Sequence, residues 1–455
     1  MARTRSRIAA ACAAAAVPLA LTAAAEGAIR DHPLPVNAPG LSTYYWENPI
    51  AGWNGALWLA ASQSGDLLRI DVDGRITSVA APRTEDVQSQ DGPSTLSPGT
   101  EGLWFLMQSG RVAAFLRPDG TFGGYRTAGF TGEDSLVARP GGGVYTGNNL
   151  GETVTFVSPA ARREYPRPHG DGSVVAIGAG GVGWFAQEGL LVRANDDGTT
   201  TTFPLVNPCQ PSVGCALPAV TGLALGPDGR MWYTRSGLRS RSSGPYSGTT
   251  TSSATVGRVD AAGRAREWDL ANNRIAPSSI VAGPDGNLWF ATADGLGRVT
   301  PAGRVRLLRL PGGRTADSIA FGPDRAIWFT DSRLNRVSRI TMREANALGG
   351  AEIRSAALRR RGASVPVKIT CPAGGPRCTG RVVLGGVPNP NAVFGRLPLY
   401  GSRAFVLRPG RSATVAVAAR AAFTAALRRS ARIAVRVEID RGVTQGDVVD
   451  VALRR

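Results

Sequence analysis

One phrase recurs along this chain and restricts its fold more than any other property: an apolar strand, a Gly-Pro-Asp-Gly-type turn, then an aliphatic residue followed by Trp and a second aromatic. The fullest copies are Gly226-Pro227-Asp228-Gly229 before Met231-Trp232-Tyr233, Gly283-Pro284-Asp285-Gly286 before Leu288-Trp289-Phe290, and Gly322-Pro323-Asp324 before Ile327-Trp328-Phe329. Weaker copies centre on Trp58, Trp104, Tyr145 and Trp184. The anchors stand mostly about 40 to 48 residues apart, the period of a four-stranded propeller blade. Seven anchors predict an all-β chain built as a seven-bladed β-propeller.

A single blade is legible in residues 279–310. Ile280 to Ala282 form an inner strand, and the Pro284-Asp285-Gly286 turn reverses the chain because Pro presets φ and Gly accepts a left-handed conformation. Leu288 to Ala291, Gly297 to Thr300 and Val305 to Leu310 supply the remaining strands, with Trp289 placed between neighbouring blades. The last blade shows only three strands, ending near Ile340. Ala28 to Pro35 resembles the outer-strand phrase at Val305 to Pro311, so the N-terminus is expected to complete that blade and close the ring, with His32 solvated on the rim. Two insertions, Asn207 to Leu217 and the Ser/Thr/Gly-rich run Ser236 to Thr255, are expected to decorate one mouth of the channel as drifted loops or as a lid.

Composition divides the rest of the chain. Arg3, Arg5 and Arg7 precede an Ala-rich apolar run and the small residues Ala23 to Ala25, the layout of a secretory signal peptide over residues 1–25. Export, to the medium or the cell surface, follows as an expectation. Beyond Cys12, the four cysteines form two close pairs, Cys209 with Cys215 and Cys371 with Cys378, which suits local disulfides. The net charge of +18 is uneven: residues 343–455 hold 19 Arg and one Lys against six acids. After the propeller at 26–342 and a linker near Met342 to Gly350, short alternating runs begin at Val365, Gly380, Arg403, Ala413 and Ile433. They read as a small basic Ig-like β-sandwich over 343–455, expected to serve attachment, with anionic cell-surface polymer as the partner its charge would suit. Arginine used simply as a solubilising residue explains the same charge. No motif or aromatic series suggests sequence-specific nucleic-acid binding, and a monomer is expected.

Alignment of the blades on their anchors places the residue eleven before, and those three or four after, each aromatic at the channel mouth. Glu47, Asp134, Glu188, Asp317 and Asp331 fall at these places, with Asn148, Gln187 and Arg235 among them. Carboxylates crowded on one mouth repel unless separated, protonated or bridged, so a divalent cation, Mg or Ca, is expected on Asp317, Asp331, Asp134 and Glu47. Turn capping or pairing with arginine is the alternative reading of the same acids.

The Gly-Pro-Asp-Gly-x-Leu-Trp-Phe repeat, with Gly-Arg-Val phrases and a Leu-Pro ending, resembles the virginiamycin B lyase family of streptogramin-inactivating propellers, best over Thr221 to Thr341. That resemblance implies opening of a macrolactone by carbon-oxygen elimination, with magnesium at the channel mouth and a catalytic His and Glu. The matching phrases are Pro168-His169-Gly170 and Trp184-Phe185-Ala186-Gln187-Glu188, which make His169 and Glu188 the implied catalytic pair. They fall in the fourth blade, Arg167 stands where an acid is expected, and in register with the other blades Ser173 occupies the position of the family's His. Three functions stay open: a metal-assisted lyase acting on a small cyclic ester, a lactone hydrolase of the gluconolactonase type, and a non-catalytic propeller binding sugar, peptide or cell-envelope polymer.

Overall fold

A computed structural model describes residues 29–35, 50–61, 64–82, 92–107, 112–126, 133–148, 153–166, 175–187, 189–206, 218–242, 248–260, 262–270, 276–355, 357–373, 377–386, 399–429, 432–440 and 445–454. The signal-like segment 1–25, the Cys209 and Cys215 pair, Glu47, His169, Ser173 and Glu188 lie outside these residues.

Within each repeat, the turn and the Trp after it form one mechanical unit. Gly286 takes φ +73 as the turn requires. A Cβ on Gly283 would stand 2.7 Å from Trp289, so the indole can lie against the turn only because that position is glycine. The Trp289 N–H then donates to Asp285 at 3.2 Å, Trp232 to Asp228 at 2.9 Å and Trp328 to Asp324 at 3.2 Å. In the second copy Glu101 takes the acid's place, accepting from Trp104 at 3.3 Å. The Gly-Arg-Val phrase of the third strand completes the unit. Gly297 leaves room for Phe290, whose ring would meet a Cβ there at 2.0 Å. Arg258 reaches Asp228 at 3.1 Å and lies over Trp232, while Val259 and Val299 are buried.

Seven four-stranded antiparallel units follow one another, and we number these blades 1 to 7 in chain order. They span 50–80, 93–126, 133–166, 175–204, 219–269, 277–309 and 319–340. The inner strand of each packs on that of the next, and the seventh on the first, which closes the ring. The core is divided accordingly, with one apolar cluster per blade interface. Trp58 packs with Leu103 and Phe105, Trp104 with Leu136 and Val144, and Tyr145 with Phe185. Trp184 packs against the cluster of Tyr233, Trp232 joins Ile280 and Phe290, and Trp289 joins Ile319 and Phe329. Trp328 meets Leu57 and Leu59, so the last blade grips the first through the same anchor position.

The N-terminal strand Arg30–Pro33 pairs antiparallel with Arg336–Ile340 and supplies the fourth strand of blade 7, as the outer-strand resemblance suggested. His32 is not a solvated rim residue: its ring stacks on Trp328 with centroids 5.3 Å apart. Burial lowers the imidazole below its ordinary value, with nearby Arg339 and Arg30 acting in the same sense. The run Ser236 to Thr255 also differs from the expected loop. It extends the strands Met231–Ser242 and Gly248–Val259 into a hairpin paired from Met231↔Val259 to Ser242↔Gly248. The Thr-rich stretch is β-favouring, and nothing in it interrupts the ladder.

The expected linker at 342–350 is a helix, α1 (Met342–Leu348), started by a capping box between Thr341 and Glu344 and anchored by buried Ala345. Beyond it, two sheets enclose a separate core that includes Val365, Ile369, Val382, Leu384, Val417 and Ile439. One sheet joins Glu352–Ile353, Ser364–Thr370 and Ser412–Ala418, and the other joins Leu399–Leu407, Cys378–Gly386, Arg432–Asp440 and Gln445–Arg454. A disulfide links Cys371 to Cys378, from the end of one sheet to the start of the other. The strand Gln445–Arg454 and a second helix, α2 (Ala421–Arg429), were not expected from the sequence. Gln445–Arg454 pairs with the outer strand of blade 6 through Val305↔Val448 and Arg306↔Asp447, making one continuous sheet across the two units. Among the described residues no helix is long and apolar enough to cross a membrane.

Trp289 is wholly buried at the interface of blades 6 and 7. Trp289→Ala is expected to destabilise the protein by about 3 to 5 kcal/mol, read as a lower urea midpoint; an unchanged midpoint would contradict the interface role.

Candidate functional site

In this topology the start of each inner strand and the end of each second strand open on one face. The hairpin of blade 5 projects there as well. At the third position after each anchor, blades 1 to 7 present Ala61, Met107, Asn148, Gln187, Arg235, Thr292 and Asp331. The ring is apolar on the side of blades 1 and 2 and polar from blade 3 onward. Gln187, Arg235, Thr292 and Asp331 are all buried. The inner strands of blades 2, 3, 5 and 6 change register beside this face, and Thr95 has φ +25. Such bulges re-aim side chains at the rims of β-structures. Hydroxyls stitch consecutive blades together here: Thr221 donates to the Pro277 carbonyl at 2.7 Å and Ser278 to the Asp317 carbonyl at 2.6 Å.

Asp317 and Asp331 are brought together, as their register implied. Asp331 is fully buried, accepting from Thr315 at 3.0 Å and from Arg336 at 3.0 Å. Arg336 also reaches Asp31 of the closing strand at 2.8 Å, where Arg314 at 2.9 Å and Ser338 at 2.7 Å converge. Burial opposes the Asp31 charge, but the hydrogen bonds of Arg314 and Ser338 and the nearby guanidinium charges outweigh it and lower its carboxyl. Asp317 differs. Its Oδ2 accepts from the Ser332 N–H at 2.6 Å, while Oδ1 is buried without a partner among the described residues. Burial, joined by the charge of Asp331, raises this carboxyl above its ordinary value despite the Ser332 hydrogen bonds.

In blade 5, Arg235 is held by Glu267 at 2.7 Å and by the carbonyls of Val206 at 2.9 Å and Pro218 at 3.1 Å, which flank the 207–217 insertion. Tyr233 donates to the same Glu267 at 3.0 Å. Burial, joined by the Glu267 charge, pushes the Tyr233 phenol well up. Glu267, Arg336 and Asp31 stand on third and outer strands, and Arg314 in the connection between blades 6 and 7, places whose spacing from the anchor varies, so the anchor alignment does not select them. The signal that could have found Asp31 is its place in the closing strand, opposite Ser338.

The described residues do not by themselves make a divalent-cation site. Asp331 spends its oxygens on Thr315 and Arg336, Asp317 keeps one free oxygen, and no three described His, Cys, Asp or Glu side chains could hold a metal ion. The Asp134 backbone lies in Glu133–Ala138 at the mouth, but its side chain is outside the described residues, as is Glu47. His169 and Glu188 also lie outside them, so their separation is not described.

Residues 160–345 and 238–375 match the model of the virginiamycin B lyase family. Over blades 4 to 7 the repeat is similar to that of this family. Among solved structures, a catalytically inactive virginiamycin B lyase from Staphylococcus aureus with Quinupristin is 18% identical, with TM-score 0.53 over 69% of this chain and 99% of that one. A streptogramin B lyase structure is 18% identical, with TM-score 0.52 over 68% and 96%. A chain of the Mitotic Checkpoint Complex reaches TM-score 0.50 at 12% identity over 69% and 93%. At these identities the likeness is one of fold. No curated protein matches the chain by sequence.

The raised Asp317 carboxyl carries a definite pH signature. A folded-state value above the unfolded one means that ionising Asp317 costs stability, in full above the folded value and not at all below the unfolded value, about 3.9. Asp317→Asn keeps an acceptor for Ser332 and removes the charge. It is expected to raise the thermal midpoint at pH 7, with the gain shrinking toward pH 4. A lower midpoint at pH 7 would contradict the assignment.

Proposed function

We propose that the propeller opens a cyclic ester at the polar side of its mouth by carbon-oxygen elimination. The observation that carries this reading is a coincidence of position. The family match begins at residue 160 and takes in the blades that end in Gln187, Arg235, Thr292 and Asp331; before it, blades 1 and 2 end in Ala61 and Met107, and blade 3 in Asn148. Elimination needs a base to take the proton next to a carbonyl. The electron pair of that C–H bond forms the C=C bond, and the ester C–O bond breaks with its electrons leaving on a carboxylate. His169 is the proposed base, with Glu188 as its proposed catalytic partner, and the buried polar ring restricts water. A divalent cation would polarise the ester carbonyl; holding it would require Glu47 and Asp134 in addition to Asp317.

A second reading, a non-catalytic propeller that binds sugar, peptide or envelope polymer, is favoured by the internal neutralisation of the mouth. Arg235 is closed by Glu267 and Asp331 by Arg336, so these two buried charges of the mouth are neutralised within the scaffold. In either reading we assign the protein to the exterior of the cell on its signal-like N-terminus, and the basic C-terminal unit, as an Ig-like module, to attachment on anionic surface polymer.

Calorimetric titration of residues 26–455 with Mg and Ca, paired with macrolactone turnover with and without chelator, separates these readings. Turnover that falls about 100-fold or more in His169→Ala is expected for a general base. Turnover that survives this change removes His169 from the chemistry, and absence of both turnover and metal binding leaves the binding reading.

A further inference from the structure

The turns between first and second strands, and between third and fourth strands, open on the face opposite the mouth. In most blades these turns carry an acid: Asp71 and Asp73 in blade 1, Glu101 and Asp119 in blade 2, Asp196 and Asp197 in blade 4, Asp228 and Asp260 in blade 5, and Asp285 in blade 6. Of these first six blades, blade 3 alone lacks one in both turns. Its first turn is Arg139-Pro140-Gly141-Gly142-Gly143, with arginine where blades 5, 6 and 7 have the glycine before Pro, and its other turn is Ser158-Pro159-Ala160-Ala161. At this departure from the repeat lies a groove of about 600 Å³.

The groove has one charged wall and one apolar wall. Arg139 lies over the Phe156 ring, 5.4 Å from its centroid, and Arg163 donates to the Asp196 carbonyl. Two carboxylates reach the groove. Both Glu101 oxygens are engaged, by the Gly143 N–H at 2.8 Å and by Trp104 at 3.3 Å. The Asp196 carboxylate is 83% exposed and makes only a 3.8 Å contact with Arg139. Glu164 sits on the other face of its strand, paired with Arg162 at 2.8 Å. Pro159, Ala160 and Phe156 form the apolar side, and the Gly141 and Gly142 backbone, with φ +90 and +108, lines the groove without side chains.

The geometry points to this groove as a binding site for an acidic sugar, separate from the mouth. Two guanidinium groups fit the carboxylate of such a ligand, which displaces the loosely held Asp196 side chain. The Asp196 carboxylate, released from Arg139, accepts from its hydroxyls, and Pro159 and Ala160 cover the apolar face of the ring. The volume is in the range of small-ligand sites, about 300 to 1,000 Å³. A neutral sugar leaves the arginines unmatched, and a bare anion leaves the apolar wall uncovered.

The test is calorimetry on residues 26–455 at low ionic strength with three probes: D-galacturonate, D-galactose and inorganic phosphate. Galacturonate is expected to bind at one site per chain, at least tenfold more tightly than either other probe. Arg163→Ala and Arg139→Ala are each expected to weaken it about tenfold, with the unfolding midpoint of Arg163→Ala, an exposed position, unchanged. Absence of galacturonate binding at millimolar concentration, equal binding of galactose or phosphate, or wild-type affinity in both variants would each overturn the assignment. Macrolactone turnover in Arg163→Ala reports separately on the mouth, so failure of one site is distinguishable from failure of the other.

Discussion

The indole N–H of the anchor tryptophan bonded to the carboxylate of the turn before it is the contact on which the ring depends. It joins a turn on one face of the molecule to the residue that fills the next blade interface, so that a local reversal and a long-range packing contact become one event. Trp232, Trp289 and Trp328 make it to an Asp, and Trp104 makes it to Glu101. A wholly buried indole with an unsatisfied N–H is destabilising, which is why the acid recurs with the Trp. In blade 1, where the acid is missing, the Trp58 N–H donates instead to the Trp53 carbonyl at 3.1 Å.

Closure of the ring and covering of its edges follow a second rule, that an outer strand left unpaired invites association. Arg30–Pro33 completes blade 7, and its Asp31 is tied through Arg336 to the buried Asp331, so the closing strand is electrically continuous with the mouth. Blade 6 is covered differently. Gln445–Arg454 of the C-terminal unit pairs on its edge, while Arg306 binds Glu352 and the Gly350 carbonyl, and Arg304 binds the carbonyls of Ile353 and Ser355. Arginines at the start of the outer strand of blade 6 here serve as clamps on the following unit, a use that excess positive charge in the sequence does not reveal.

Much of the propeller was legible because its determinants are local. Turn chemistry, the Gly-Arg-Val phrase and the anchor aromatic all lie within a few residues of one another, and even the closing strand could be found from the likeness of 28–35 to 305–311. What escaped was contextual. The strand Gln445–Arg454 alternates like any other, and nothing in its composition names blade 6 as its partner. Ser236 to Thr255 reads as a loop because Ser, Thr and Gly are shared by loops and strands, and only the partner strand decides between them. His32 was expected in water because a strand end looks exposed until Trp328 stands beneath it.

The acids at the mouth show the same limit at the level of chemistry. Register placed Asp317 and Asp331 side by side, and the structure keeps them there, but their states diverge through neighbours that register does not encode. Thr315 and Arg336 engage both oxygens of Asp331 within the scaffold, whereas Asp317 receives one backbone N–H and keeps a buried oxygen unpaired. Burial raises the Asp317 carboxyl, and the charge of Asp331 adds to that shift. Asp331 is thereby a structural anchor of blade 7, and Asp317 is the group at the mouth whose unmet hydrogen-bonding capacity is left for a proton or a ligand.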